Sequence, residues 1–250
     1  GINSGHARVF DWNGTAWTQV GADINGEAAS DQFGHAVSMN NTGDRIVVGA
    51  ITNNGGGTNS GHARVFDLVG STWTQVGADI NGEVANDRFG YAVSMNDVGD
   101  RIVVGAPLNG GNGPNSGHAR VFDWNGSAWT QVGADINGEA ASDQFGWSVS
   151  INGAGDRIIV GARLNGGNGP NSGHARVFDW NGTAWTQVGA DINGEAAYDQ
   201  FGHSVSINDL GTRIIVGALY NDEVASNSGH AKVYDLVGTT WIQVDDDIDG

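Results

Sequence analysis

Cysteine is absent from the 250 residues, lysine occurs once, methionine twice and proline three times. Without cysteine there are neither disulfides nor thiolate metal sites, and the compartment stays open on that criterion. The single lysine, Lys232, and the arginines are outnumbered by 28 aspartates and glutamates, for a net charge of −17. A surface of that sign repels phosphate backbones and excludes nucleic acid, while calcium, cationic partners and neutral glycans stay within reach. Apolar runs extend over only a few residues, too short for membrane insertion. No stretch has a helical period, and the glycine spacing would break one. Gly1 stands where a start methionine would and no signal peptide precedes it, so the sequence reads as a processed form or a segment of something longer.

What is present is glycine, at 42 residues, accompanied by valine, isoleucine and nine tryptophans, and arranged in a repeat. The stretch from Arg88 to Pro107 reads as two strands, Phe89 to Met95 and Arg101 to Ala106, joined by Asn96-Asp97-Val98-Gly99. Versions recur at Phe33 to Ala50, Phe145 to Ala162 and Phe201 to Ala218, each 56 residues from the last. A second pair of strands separates them, first as Gly5 to Asp11 and Ala16 to Gly21, around Trp12-Asn13-Gly14-Thr15. Asn-Gly between alternating runs predicts a type I′ hairpin here and at Asn125-Gly126 and Asn181-Gly182. Val69-Gly70 and Val237-Gly238 predict type II turns, since a β-branched residue resists positive φ. The residues after each Gly-Ala form nine-residue connections, Ile51 to Asn59, Pro107 to Asn115, Arg163 to Asn171 and Leu219 to Asn227, whose equal length argues for fixed geometry.

The unit is therefore four short antiparallel strands, and the fold class is all-β. One such sheet cannot bury both faces alone, so copies must stack, either radially as a β-propeller or linearly as an open β repeat stack. The blades are expected over residues 33–80, 89–136, 145–192 and 201–248, within one array spanning 1–250, with 1–24 left as an orphan outer hairpin.

Phe33-Gly34 with Gly49-Ala50, Phe89-Gly90 with Gly105-Ala106-Pro107, Phe145-Gly146 with Gly161-Ala162 and Phe201-Gly202 with Gly217-Ala218 resemble the FG-GAP repeat of integrin α-subunit propellers and secreted microbial repeat proteins. The preceding Trp-Thr-Gln-Val-Gly-Ala-Asp-Ile-Asn-Gly-Glu looks closer to the microbial type. The resemblance implies blades whose strands run Phe-Gly, Gly-Ala, Gly-His-Ala, Trp-Thr-Gln from axis to rim, and a role in extracellular adhesion or ligand binding. The integrin calcium loop does not carry over, because the corresponding turns here, such as Asn40-Asn41-Thr42-Gly43, are too short to wrap a cation.

The outer hairpin occurs five times and the inner one four times, so strands do not balance. Three arrangements answer this: a piece of a longer array, an orphan hairpin paired with another molecule, or a stack that never closes. The expected partners are thus further copies of the chain or a larger parent polypeptide, with glycans as the competing class.

Among candidate site residues, Asp23, Asn25, Glu27 and Asp31 offer oxygens at alternating spacing that would suit calcium. The equivalent sets are Asp79, Asn81, Glu83 and Asp87; Asp135, Asn137, Glu139 and Asp143; and Asp191, Asn193, Glu195 and Asp199. The competing reading is that these side chains cap loop amides. The third position of each Phe-Gly strand varies as His35, Tyr91, Trp147 and His203, either stacking on sugars or filling space between blades. Asn13, Asn40, Asn125 and Asn181 stand in glycosylation acceptor patterns. Ser4-Gly5-His6 with Asp11 has the composition of a hydrolase triad, but alternation along a strand puts His6 and Asp11 on opposite faces. The histidine and arginine of this strand instead share a face that packs between blades. The sequence reads as a non-enzymatic, extracellular structural or adhesive repeat protein, with a lectin-like module as the alternative.

Overall fold

A computed structural model describes residues 1–222 and 225–250. Among them every regular element is a β-strand, and no helix is long and apolar enough to cross a membrane. The first strands are short: β1 (His6–Ala7), β2 (Phe10–Trp12), β3 (Trp17–Gln19) and β4 (Ile24–Asn25). They form two two-stranded pieces, β1 with β4 and β2 with β3. The first complete sheet follows with β5 (Phe33–Met39), β6 (Arg45–Ala50), β7 (His62–Val69), β8 (Thr72–Gln75) and β9 (Ile80–Asn81). Its order is β5-β6-β7-β8, the order the resemblance implied, and the sheet recurs three more times.

One strand was not expected. β9 pairs antiparallel with the start of β7, His62 opposite Asn81, while β8 pairs with its other end, Phe66 opposite Gln75. The rim edge of β7 is therefore shared, and what the sequence suggested was a loop supplies backbone partners to the buried histidine segment.

The turns also differ from expectation. Trp12 pairs with Trp17, so Asn13 to Ala16 form a four-residue loop, and Gly14 has positive φ while Asn13 does not. The Asn13 side-chain oxygen accepts from the amides of Thr15 and Ala16, and this Asx-type capping replaces the type I′ turn. The same loop recurs at Asn125 and Asn181. Where valine precedes glycine, Val69 pairs with Thr72, placing Gly70 at the first central position with φ of +66°. That position belongs to type II′ rather than type II, because the primed turn matches the twist of the flanking strands.

The core lies between sheets rather than within one. Val47, Ala63 and Val65 of the first sheet pack with Phe89, Val93, Ile102 and Val104 of the second, and two further clusters repeat the arrangement. The signature glycines make this approach feasible. A Cβ on Gly49 would lie 2.0 Å from the carbonyl oxygen of Gly90, and Gly90 itself has φ of +86°. The Phe-Gly of each sheet thus lies backbone on backbone against the Gly-Ala of the sheet before it.

Polar ties repeat at each junction. Arg45 forms a two-pronged ion pair with Asp67 and donates its third nitrogen, Nη1, to Gly99 O of the next sheet at 2.9 Å. Trp129 Nε1 donates to Val76 O at 3.0 Å, Met95 N donates to Ser38 Oγ at 3.1 Å, and Phe89 bridges Gly61 in parallel. The nine-residue connections are fixed internally: Gly61 N donates to Asn53 O and Gly55 N to Asn53 Oδ1. The fourth, Leu219 to Asn227, includes Glu223 and Val224, which lie outside the described residues.

Candidate functional site

The arc of sheets is open, and its two ends are where the repeating ties run out. Val47, Val103 and Ile159 are fully buried between sheets, whereas their equivalent in the last sheet, Ile215, is 39% exposed. Arg213 keeps its pair with Asp235, but among the described residues its Nη1 meets no carbonyl. Its side chain is 55% exposed, against 17% for Arg45. Ser206 Oγ, Val244 O and the Gly217 face stand where equivalent groups elsewhere meet the following sheet. At the other end Val37 is 61% exposed and Met39 43%, where Val93 and Met95 are buried. The hairpin of β2 and β3 covers little, since Phe10, Trp12 and Trp17 are all exposed, and of residues 1–25 Ala7 and Ile24 are buried in the core with Val9 partly packed against it.

A second feature is internal. The His-Ala-Arg segment places an imidazole and a guanidinium on one buried face between sheets, as alternation predicts. Arg64 lies over the Phe33 ring at 4.4 Å and donates Nη2 to Asn25 O at 2.8 Å. His62 is fully buried, and Glu27 and Asp79 complete a group with it. Its counterparts are Glu83, His118 and Asp135; Glu139, His174 and Asp191; and Glu195, His230 and Asp247. Burial pushes His62, His118 and His174 down to about 4, against the opposing pull of Asp79, Asp135 and Asp191.

The calcium sets read from the sequence are distributed differently. Asp31 is buried and caps Ala28 N at 2.9 Å while accepting from Asn53 Nδ2 at 3.2 Å, and Asp87, Asp143 and Asp199 repeat this. Asp23 pairs with Arg8 and Gln19, and these hydrogen bonds lower its pKa. Asn25, Asn81, Asn137 and Asn193 sit in the short strand that pairs with the histidine segment. The structure joins Glu27 not to its own loop's carboxylates but to Asp79 of the following unit. The histidine completing the group was not among the metal candidates. Its signal in the sequence was a Gly-His-Ala at constant distance before each Asp-Ile-Asn-Gly-Glu, but nothing local relates that distance to a fold across β7 and β9.

The varied aromatic column is continuous. Ring centroids are 4.7 Å apart for His35 and Tyr91, 4.3 Å for Tyr91 and Trp147, and 5.8 Å for Trp147 and His203. Arg163 lies 3.4 Å over the Trp147 ring, held by Gln144 and Gln200. Of the glycosylation candidates, Asn13, Asn125 and Asn181 are in exposed loops, while Asn40 is buried with its side chain bonded to Asp44 and Arg45. Asp67, the counterpart of Asp11, is taken by Arg45, and Ser60 Oγ donates to Asn53 O.

Stacked sheets with a four-strand antiparallel path, a fifth short strand beside it and a Phe-Gly strand at one edge define a β-propeller-like blade array. The family profile for the FG-GAP repeat matches residues 25–66, 81–122, 137–178 and 193–234, and the chain belongs to that family. No curated protein sequence matches the chain. Among solved structures it is similar to hydrazine synthase of Kuenenia stuttgartiensis, with TM-score 0.54 and 11% identity over 86% of this chain and 49% of that one. It is also similar to a protein of Bacteroides uniformis assigned as a 6-phosphogluconolactonase, with TM-score 0.55 and 10% identity over 94% of this chain and 65% of that one. The chain thus spans about half and somewhat under two thirds of those proteins. At such identities the likeness concerns the fold.

Proposed function

We propose that this chain is an extracellular, non-enzymatic building block that associates end to end with further copies of itself. The supporting observation is that the groups left unmet on the last sheet match groups of the first sheet that are either unmet or held only by residues 1–25, as Trp73 Nε1 is by Val20 O and Phe33 by Gly5. Carrying the repeating ties one step onward brings Arg213 Nη1 to Gly43 O of a second copy, Ser206 Oγ to its Met39 N and Val244 O to its Trp73 Nε1. Phe33 of that copy would bridge Gly229 in place of its own Gly5, and its Gly34 would lie on Gly217. Within one chain residues 1–25 occupy, beside β5, the place that the last outer hairpin would take. Docking therefore exchanges a poorly covered hairpin for a complete sheet, and unpaired edges and faces of this kind drive head-to-tail growth. The extracellular setting rests on the common use of the repeat family.

Sedimentation velocity over a range of concentrations tests the reading. The expected outcome is oligomers that grow with concentration and are lost in Gly217→Val, whose side chain would stand where the incoming backbone must lie. A monodisperse monomer throughout, or assembly untouched by that change, would set the reading aside in favour of a further repeat of a longer polypeptide covering the face. Carbohydrate binding is the second reading, supported by the column of His35, Tyr91, Trp147 and His203. It ranks lower because these rings and Arg163 already stack on one another, and specific binding on a glycan array would raise it.

A further inference from the structure

The buried histidines have an unmet need that the fold alone does not supply. Nε2 of His62, His118, His174 and His230 lacks a hydrogen-bond partner, as does Nδ1 of His62, His174 and His230, although these rings are at most 1% exposed. Ring nitrogens buried without partners are costly, and a group in this state calls for a water or an ion. His62 Nδ1 is 3.8 Å from Asp79 Oδ2, and His118 Nδ1 is 3.8 Å from Asp135 Oδ2. That is too long for a hydrogen bond and close to the ~3.4 Å edge of a tetrahedron with metal–ligand bonds of about 2.1 Å. The third donor in each group, Glu27 or Glu83, is nearly half exposed, so it can swing and leaves a route from solvent. All donor atoms of a group lie within 4.8 Å of one another.

In the first three groups the neighbouring arginine pairs with the glutamate but, among the described residues, forms no ion pair with the aspartate. Arg64 is held by the Phe33 ring and Asn25 O, and its Nη1 donates to Glu27 Oε1 at 3.3 Å, leaving the other carboxylate oxygen for an ion. Arg120 and Arg176 take the same positions over Phe89 and Phe145. The fourth group differs. Lys232 replaces the arginine, and its ammonium pairs with Glu195 and lies 3.1 Å from Asp247 Oδ2, between the two carboxylates.

We propose that Glu27, His62 and Asp79, with the two groups that repeat them at His118 and His174, are binding sites for a divalent transition metal of the zinc class, and that Lys232 closes the fourth. One imidazole and two carboxylates favour zinc-like ions over calcium, and the net charge of −17 raises the local concentration of any cation. Because Glu27 precedes β5 while His62 and Asp79 belong to the next outer hairpin, each ion ties successive units together.

The test uses the full chain, stripped with chelator and titrated with Zn²⁺ by calorimetry and with Co²⁺ by visible absorption. The expected result is three ions per chain, Co²⁺ bands of a four- or five-coordinate site, and a melting temperature that rises with Zn²⁺. Glu83→Gln, at an exposed position, is expected to remove one site without unfolding the chain, and Lys232→Arg to open a fourth. Absence of binding above that of a His62→Gln, His118→Gln, His174→Gln chain would overturn the proposal. So would four equivalent sites in the unaltered protein, or a stoichiometry unmoved by Glu83→Gln.

Discussion

At the residue scale the buried histidines make the protein sensitive to acid. His62 is faced by Asp79 and Arg64 with Asp31 nearby, His118 by Arg120, Asp135 and Asp87, and His174 by Arg176, Asp191 and Asp143. Burial outweighs these neighbours and holds each ring neutral down to about 4, whereas the unfolded chain protonates near the ordinary value of 6.5. Stability from these groups is therefore complete above pH 6.5 and lost as the pH falls toward 4, because the unfolded state takes up the protons first. Each ring accounts for roughly 3 kcal/mol at the acid end of that window. Urea unfolding followed by tryptophan fluorescence with chelator present should show ΔG declining from pH 6.5 to 4, and His118→Gln should make the decline shallower. A flat ΔG across that range would contradict the burial argument. The tryptophans give a second contrast at this scale. Trp129→Phe removes the donor to Val76 O and should cost about 1 kcal/mol. Trp17→Phe, at a side chain 68% exposed, should fall within roughly 0.5 kcal/mol of the parent.

At the element scale the two glycine signatures act as one device. A Cβ on Gly105 would meet Gly146 O at 2.0 Å, an atom of the neighbouring backbone that cannot turn away. Gly105→Ala should therefore push two sheets apart and cost at least about 2 kcal/mol, read as a fall in the urea midpoint. At Gly217 the nearest atom to such a Cβ is Ser204 Oγ, the free end of an exposed side chain, so Gly217→Ala should leave the midpoint unchanged at concentrations where the chain is monomeric. Equal losses at both positions would show that the face of the last sheet is covered in solution. Much at this scale was legible beforehand: strands near Phe33 to Met39 and Arg45 to Ala50, the sheet order, and the shared face of histidine and arginine. The turn chemistry was not. Asn13 satisfies its loop with its own side chain, and Gly70 sits one position earlier in the turn than the Val-Gly pattern suggested, since strand twist selects the turn.

At the scale of the whole molecule the array has two unlike ends, one exposing Val37 and Met39, the other Ile215 and Arg213. Removing residues 1–25 uncovers β5 and leaves the Phe33 hairpin free to dock, so the shortened chain should assemble at lower concentration than the parent in light scattering. Slower or unchanged assembly would mean that this hairpin takes part in the contact rather than giving way to it. The same hairpin should exchange its amides faster than any interior sheet, because Ala7 and Ile24 are its buried apolar residues and its tryptophans and Phe10 are exposed.

The sequence by itself determined the strand content, the 56-residue unit and its membership in the FG-GAP repeat family, since period, strand propensity and glycine placement are written locally. Only the tertiary structure decided which carboxylate faces which histidine and which groups at the ends go unmet. Glu27, His62 and Asp79 meet across a sheet boundary, through the pairing of β9 with β7 and the stacking of one sheet on the next. Such meetings are set by how identical units pack, and one unit's sequence carries no record of its neighbour's position.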